Sequence, residues 1–194
     1  MAQTPPVRRF ALLRGINVGG RTVRSPALCA VFEAMGFGGV ATFLASGNVV
    51  FEPDAGDAAP GEAAALEARI EARLREALGY EPATFLRSCA ELADAGSPER
   101  LDGSPLAGEE GVTVNVVFLK GPAPGDFRDA VLALRSDVDD FLFHGRELYW
   151  LRRGKMSESP AWVPLEKALA GRGTTRNLNT VRRMLAKFCG DEPR

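Results

Sequence analysis

The chain has 194 residues, 45% apolar and 25% charged, with 24 Lys and Arg against 25 Asp and Glu. That length suits one domain or two small ones, and the near-even charge excludes a global field for nucleic acid or an anionic membrane. No apolar run approaches the roughly 20 residues of a membrane span, and the start, MAQTPPVRRF, has no apolar stretch of the signal-peptide kind, so a cytoplasmic protein without membrane contact is expected.

The single histidine, His144, excludes a two-histidine metal site and H-E-x-x-H chemistry. Cys29, Cys89 and Cys189 are an odd number at wide spacing, which suggests neither a metal pair nor a disulfide framework, and they read as packing thiols. No metal or other cofactor is expected.

In chain order, residues 7–14 read as a buried strand that runs into the glycine-rich loop of LLRGINVGGRT. Ser25-Pro26 opens a helix: Ser caps and Pro suits the first helical position. Its stripe is Leu28, Val31, Phe32 and Met35, and Gly36 stops it. Residues 40–45 and 48–52 are two short strands around Ser46-Gly47. After a breaker-rich linker, residues 62–78 form a helix with Leu66, Ile70, Leu74 and Leu78 on one face and Glu71 and Arg75 spaced to pair. Residues 83–87 read as a strand, and Ser88 with Glu91 makes a capping box for a short helix. The order β-α-β-β-α-β is the split βαβ pattern of ferredoxin-like folds.

Residues 96–111 are the longest polar stretch, and beyond them the pattern restarts. A strand at 112–120, a helix at 126–134, a hairpin at 140–143 and 147–151, and a helix at 160–170 follow. FLASGNVVF (43–51) aligns without a gap on FLFHGRELY (141–149), and ALLRG (11–15) on VFLKG (117–121). The expected fold is therefore α+β, with two ferredoxin-like halves at 7–93 and 112–190 joined by a linker at 94–111. The second half is expected to end in an extra helix instead of a strand, because Val181, Met184, Leu185 and Phe188 are helically spaced.

Four loops carry candidate chemistry. The first, from Gly15 to Thr22, reads G-x-x-x-x-G-R-T, close to a phosphate-binding P-loop. Its helix starts late, at Pro26, and no strand ending in Asp supplies a magnesium carboxylate. The remaining readings are a glycine turn, or a nest of amides with Arg14 and Asn17 reaching in beside Gly19 and Gly20. The second loop is Ser46-Gly47-Asn48, a hairpin turn that presents small polar groups; its counterpart at His144 reads as a turn. In the third, RRGKMSES, Lys155 and Ser157 precede a helix start, where anions bind. In the fourth, TTRNLNT, helix capping by Asn177, Asn179 or Thr180 accounts for one of six polar residues, and Arg176 suits phosphate recognition.

ALLRGINVGG, the FxxSGNVVF hairpin and TTRNLNTVxxL together resemble the bacterial family called domain of unknown function 1697. The resemblance spans nearly the whole chain and implies a small α+β protein of ferredoxin-like architecture, with no established activity. The chain departs from that family at Arg21, where Lys is usual, and at Leu178, where Trp is usual. A Leu offers no π-face on which a base can stack.

The leading expectation is a phosphate-bearing ligand, a nucleotide or nucleic acid, in a cleft between the halves. It is held by Arg14, Asn17, Gly19, Gly20, Ser46, Asn48, Lys155, Ser157, Arg176, Asn177 and Asn179. The alternatives are a non-catalytic structural or protein-interaction module, and an enzyme using Lys155 with Ser46 or Ser157. Val114, Val116 and Phe118 alternate with Asn115, Val117 and Leu119, which argues for a strand buried on both faces and against an open RNA-binding sheet.

Overall fold

A computed structural model describes residues 7–17, 22–44, 47–54 and 61–190. The chain divides into two compact units, residues 1–91 with 186–194, and residues 92–185.

The first unit holds β1 (Arg9–Arg14), α1 (Ser25–Glu33), β2 (Gly38–Thr42), β3 (Asn48–Glu52), α2 (Ala63–Leu78) and β4 (Ala83–Ser88). Its four strands form one antiparallel sheet in the order β2-β3-β1-β4. Leu28 and Phe32 from α1 and Leu66, Ile70 and Leu74 from α2 pack on Ala11, Leu13, Val49, Phe51 and Leu86 of the sheet. The alternating strand pattern and the helical leucine spacing thus meet in one core. Gly79, at φ 73, ends α2 in the left-handed conformation that glycine adopts without strain.

α2 does a second job. Glu67, only 4% exposed, accepts the amide of Leu86 at 2.8 Å, and Glu71 accepts that of Thr84 at 2.7 Å. Both amides lie along β4, one of the two edge strands of the sheet. Glu71 thus also serves the sheet; Arg75 feels its charge, as the spacing predicts, and makes its closer pair with Glu81.

The capping box is present at the start of α3 (Cys89–Gly96): Ser88 donates its amide to Glu91, and Glu91 its amide to Ser88 Oγ. The stretch read as a linker holds the end of α3, a 3-10 turn at Pro98–Leu101 and a buried Leu106.

The second unit repeats the arrangement with β5 (Val112–Leu119), α4 (Gly125–Leu132), β6 (Asp139–His144), β7 (Glu147–Arg153), α5 (Trp162–Leu169) and β8 (Gly173–Asn177). The sheet order is β6-β7-β5-β8, again antiparallel. α6 (Leu178–Phe188) follows, and its last residues group with the first unit. Val116 to Leu119 of β5 are buried on both faces.

Three expectations are corrected. The second half does not end in a helix instead of a strand; it has both, with β8 paired to β5 over Gly173–Asn177. This strand reads Gly-Thr-Thr-Arg-Asn, with no aliphatic residue, so it carries no apolar signal, although Thr174 and Arg176 are buried. Next, the ungapped hairpin alignment is off by one. The Leu13 amide donates to Gly47 O, and the equivalent Leu119 amide donates to Arg146 O. Phe51 therefore corresponds to Trp150, and both lie in the helix-covered cores. The first hairpin loops between Phe43 and Asn48, whereas the second turns between His144 and Glu147. Last, Cys89 and Cys189 are not packing thiols but form a disulfide, with Cα atoms 5.7 Å apart.

Candidate functional site

The loop after β1, the start of α1 and the turn of the β2–β3 hairpin converge on one cavity of about 330 Å³ in the first unit. The chain leaves β1 through Gly15 (φ 85) and Ile16 to Asn17, which sits in the left-handed region at φ 57. Asn tolerates that conformation better than other side chains. Its Oδ1 accepts the Val23 amide at 2.6 Å and so pins the two ends of the loop together.

α1 then begins without a side-chain cap. Arg24 holds the N-cap position and makes no capping hydrogen bond, so Ser25 is the first helical residue and not the expected cap. Pro26 has no amide, which leaves those of Ser25 and Ala27 at an uncapped helix start. On the far wall, Leu44 is also left-handed, at φ 58, and half exposed. Asn48 is buried; its Nδ2 donates to Phe43 O at 2.9 Å, and its own carbonyl accepts the Phe43 amide. Ile16, Val23, Leu28 and Leu44 supply apolar wall, and Asn17, Thr22, Arg24, Ser25, Thr42 and Asn48 supply the polar residues. Cys29, behind Thr42, is held as a thiol: burial first, then Glu33, push it above its ordinary value, and hydrogen bonding with Thr42 opposes the shift.

Of the residues singled out in sequence, Asn17 and Asn48 line this cavity. Arg14 stands at the end of β1, outside its lining, and Gly19, Gly20 and Ser46 lie outside the described residues. Lys155 is 79% exposed and paired with Glu158 at 3.2 Å, beside an exposed Ser157. A lysine so solvated lacks the desolvation that would make it a base, so its exposure speaks against the enzyme reading built on it.

Arg176 is corrected as well. It is 7% exposed within β8 and donates to Thr174 Oγ1 and Thr175 O, both at 2.8 Å. Burial pushes its guanidinium down to about 10. It is a buried strand residue, not a surface hook for anions. Asn177 accepts the Asn179 amide at 2.9 Å, and both line a separate cavity of the second unit with Thr113 and Arg182.

Sequence reasoning missed the walls made by Thr42 and Leu44, since a left-handed Leu has no sequence signature. It also missed a buried cluster in the second unit. There Asp139 accepts Trp150 Nε1 at 2.7 Å and Ser159 Oγ at 2.9 Å, which fastens the segment before α5 to β6. Among the described residues, no helix is long and apolar enough to cross a membrane.

Among the described residues, two four-stranded antiparallel sheets with six helices define an α+β protein. The chain belongs to the family described as protein of unknown function (DUF1697), whose model matches residues 7–149. A conserved bacterial protein from Streptococcus pneumoniae, SP0830, has a similar solved structure, with a TM-score of 0.73 and 18% sequence identity. The match covers 95% of this chain and 99% of that one. At that identity the likeness speaks for the fold. No curated protein matches the chain.

Proposed function

We propose that the first unit binds a small phosphate-bearing molecule, a nucleotide in preference to a nucleic-acid strand, in the cavity at the start of α1. The observation that carries this reading is the convergence of an uncapped helix start, the Asn17 loop and the hairpin turn on one cavity. The phosphate sits at the amides of Ser25 and Ala27, where the helix dipole favours negative charge, with Arg24 beside it. The apolar part of the ligand lies against Ile16, Val23 and Leu44. Asn17 and Asn48 shape the walls through their own hydrogen bonds.

The volume, about 330 Å³, falls within the range of small-molecule sites. The two-sided burial of β5 favours a compact ligand over a strand laid on an open sheet. We also read each half as ferredoxin-like, supported by the orders β2-β3-β1-β4 and β6-β7-β5-β8.

The test is thermal shift and calorimetry with inorganic phosphate, pyrophosphate, ADP and ATP, on the wild type and on Ser25→Glu. Ser25 is exposed, and a carboxylate at the helix start competes for the anion site without harming the helix. ADP is expected to stabilise the wild type by several degrees and to lose at least tenfold in affinity in the variant. Failure of every phosphate compound to bind, or equal binding by Ser25→Glu, overturns the reading.

A further inference from the structure

The disulfide joins two passages of the chain 100 residues apart, at the β4–α3 junction and just past α6. Both cysteines belong to the first unit and are half-buried, so a reductant can reach them. Phe188 precedes Cys189. Its ring meets Phe10 at 6.1 Å and Phe43 at 6.0 Å, edge-on in both cases, and its carbonyl accepts from Arg8 at 2.8 Å. The Lys187 ammonium lies 5.8 Å from the Phe43 ring centroid. Phe43 opens the hairpin loop and exchanges hydrogen bonds with Asn48. Leu44, next in sequence, is wall of the cavity. A continuous path of contacts therefore runs from Cys189 through Phe188 and Phe43 to the cavity.

We propose that the Cys89–Cys189 disulfide is a redox clasp that regulates the cavity, an inference that rests on the ligand reading above. Oxidised, it holds Phe188 against Phe43 and keeps Phe43 and the Leu44 wall of the cavity in place. The reductant is a dithiol. One of its thiolates attacks a disulfide sulfur, breaking the S–S bond and forming a mixed disulfide. Its second thiol displaces the protein sulfur, leaving two protein thiols and a cyclic disulfide, a transfer of two electrons and two protons. Without the bond, residues 186–190 keep the Arg8 contact, the two ring edges and the Lys187 ammonium over Phe43, but lose their covalent tether, and their hold on Phe43 loosens. The switch is a local packing event at an element with two arrangements.

Hydrogen exchange on the full chain, with and without excess dithiothreitol, tests this. Reduction is expected to speed exchange at the Phe43 and Leu13 amides and in the last turn of α6 at least tenfold. The Leu119 amide, which makes the equivalent bond in the second unit, stays unchanged. The Cys89→Ser/Cys189→Ser double variant exchanges like reduced wild type under both conditions; should it not fold, the dithiothreitol comparison on wild type decides alone. Equal exchange at Phe43 in the two redox states, or three titratable thiols before reduction, overturns the clasp. ADP affinity separates the two readings. The oxidised form is expected to bind at least fivefold more tightly than the reduced. ADP binding to neither form while exchange still responds to reduction overturns the ligand reading alone. Equal ADP binding with unresponsive exchange overturns the clasp alone.

Discussion

Removing the cross-link by Cys189→Ser has a calculable effect on stability. The disulfide encloses 100 residues. If the whole chain unfolds in one transition, the loop-closure entropy lost by the unfolded state is worth about 4.7 kcal/mol. A second value follows if residues 92–185 stay folded while the first unit opens. Within residues 92–185, Arg182 donates to Gly96 O at 3.0 Å, so the outgoing and returning helices are already held together there. The loop closed by the disulfide then shrinks to on the order of 15 residues, and its worth falls to about 3 kcal/mol. The variant should therefore lose about 3 to 5 kcal/mol, or roughly 6 to 20 °C in Tm for a chain of this size. Non-reducing urea titration of wild type and variant measures it, with circular dichroism and tryptophan fluorescence as separate probes. Both tryptophans, Trp150 and Trp162, lie in the second unit, so fluorescence reports that unit and the far-ultraviolet signal reports both. Coincident transitions go with the larger loss, separated ones with the smaller. A loss under about 1 kcal/mol refutes the reasoning, because no loop of either length is worth so little in that treatment.

Two other substitutions probe the fold directly. Arg176→Ala should cost about 2–4 kcal/mol in urea unfolding, because it empties a buried site and strips Thr174 and Thr175 of a donor; a change within about 0.5 kcal/mol, as for a solvated cation, would return Arg176 to the surface. Gly47→Ala should cost about 2–3 kcal/mol: Gly47 has φ 72, and a Cβ there lies 3.2 Å from Leu13 and 3.3 Å from Ile16. Gly145→Ala, at φ 53 but 3.6 Å from only a flexible Glu147 carboxylate, should cost about 1 kcal/mol, and equal losses at the two sites would contradict the close approach to β1.

The elements that sequence reveals are those whose physics is local. The leucine spacing of α2 and the Ser88–Glu91 box depend on residues within a turn or two, and both appear as expected. β8 escaped because its burial comes from its place beside β5, not from apolar residues of its own. Arg176 was misjudged for the same reason: an arginine beside a helix start looks exposed until the strand that carries it is known. The disulfide is non-local by 100 residues, and three cysteines offer no way to choose a pair. At the cavity, the Asn17 loop and the Ser25-Pro26 start were legible as glycine and proline chemistry. Leu44 was not, because a left-handed backbone at a leucine has no counterpart in local sequence preference.

The carboxylates of Glu67 and Glu71 occupy two amides on the outer side of β4. That border of the first sheet is chemically finished: an incoming strand would have to evict charged acceptors before it could form a ladder. Growth of the sheet is thereby biased to its opposite border, β2, where the register already slips between Gly38 and Ala41. A sheet closed on one side and irregular on the other cannot propagate as a ribbon. The helix that builds the core of this unit thus also works as its protection against fibrillar stacking.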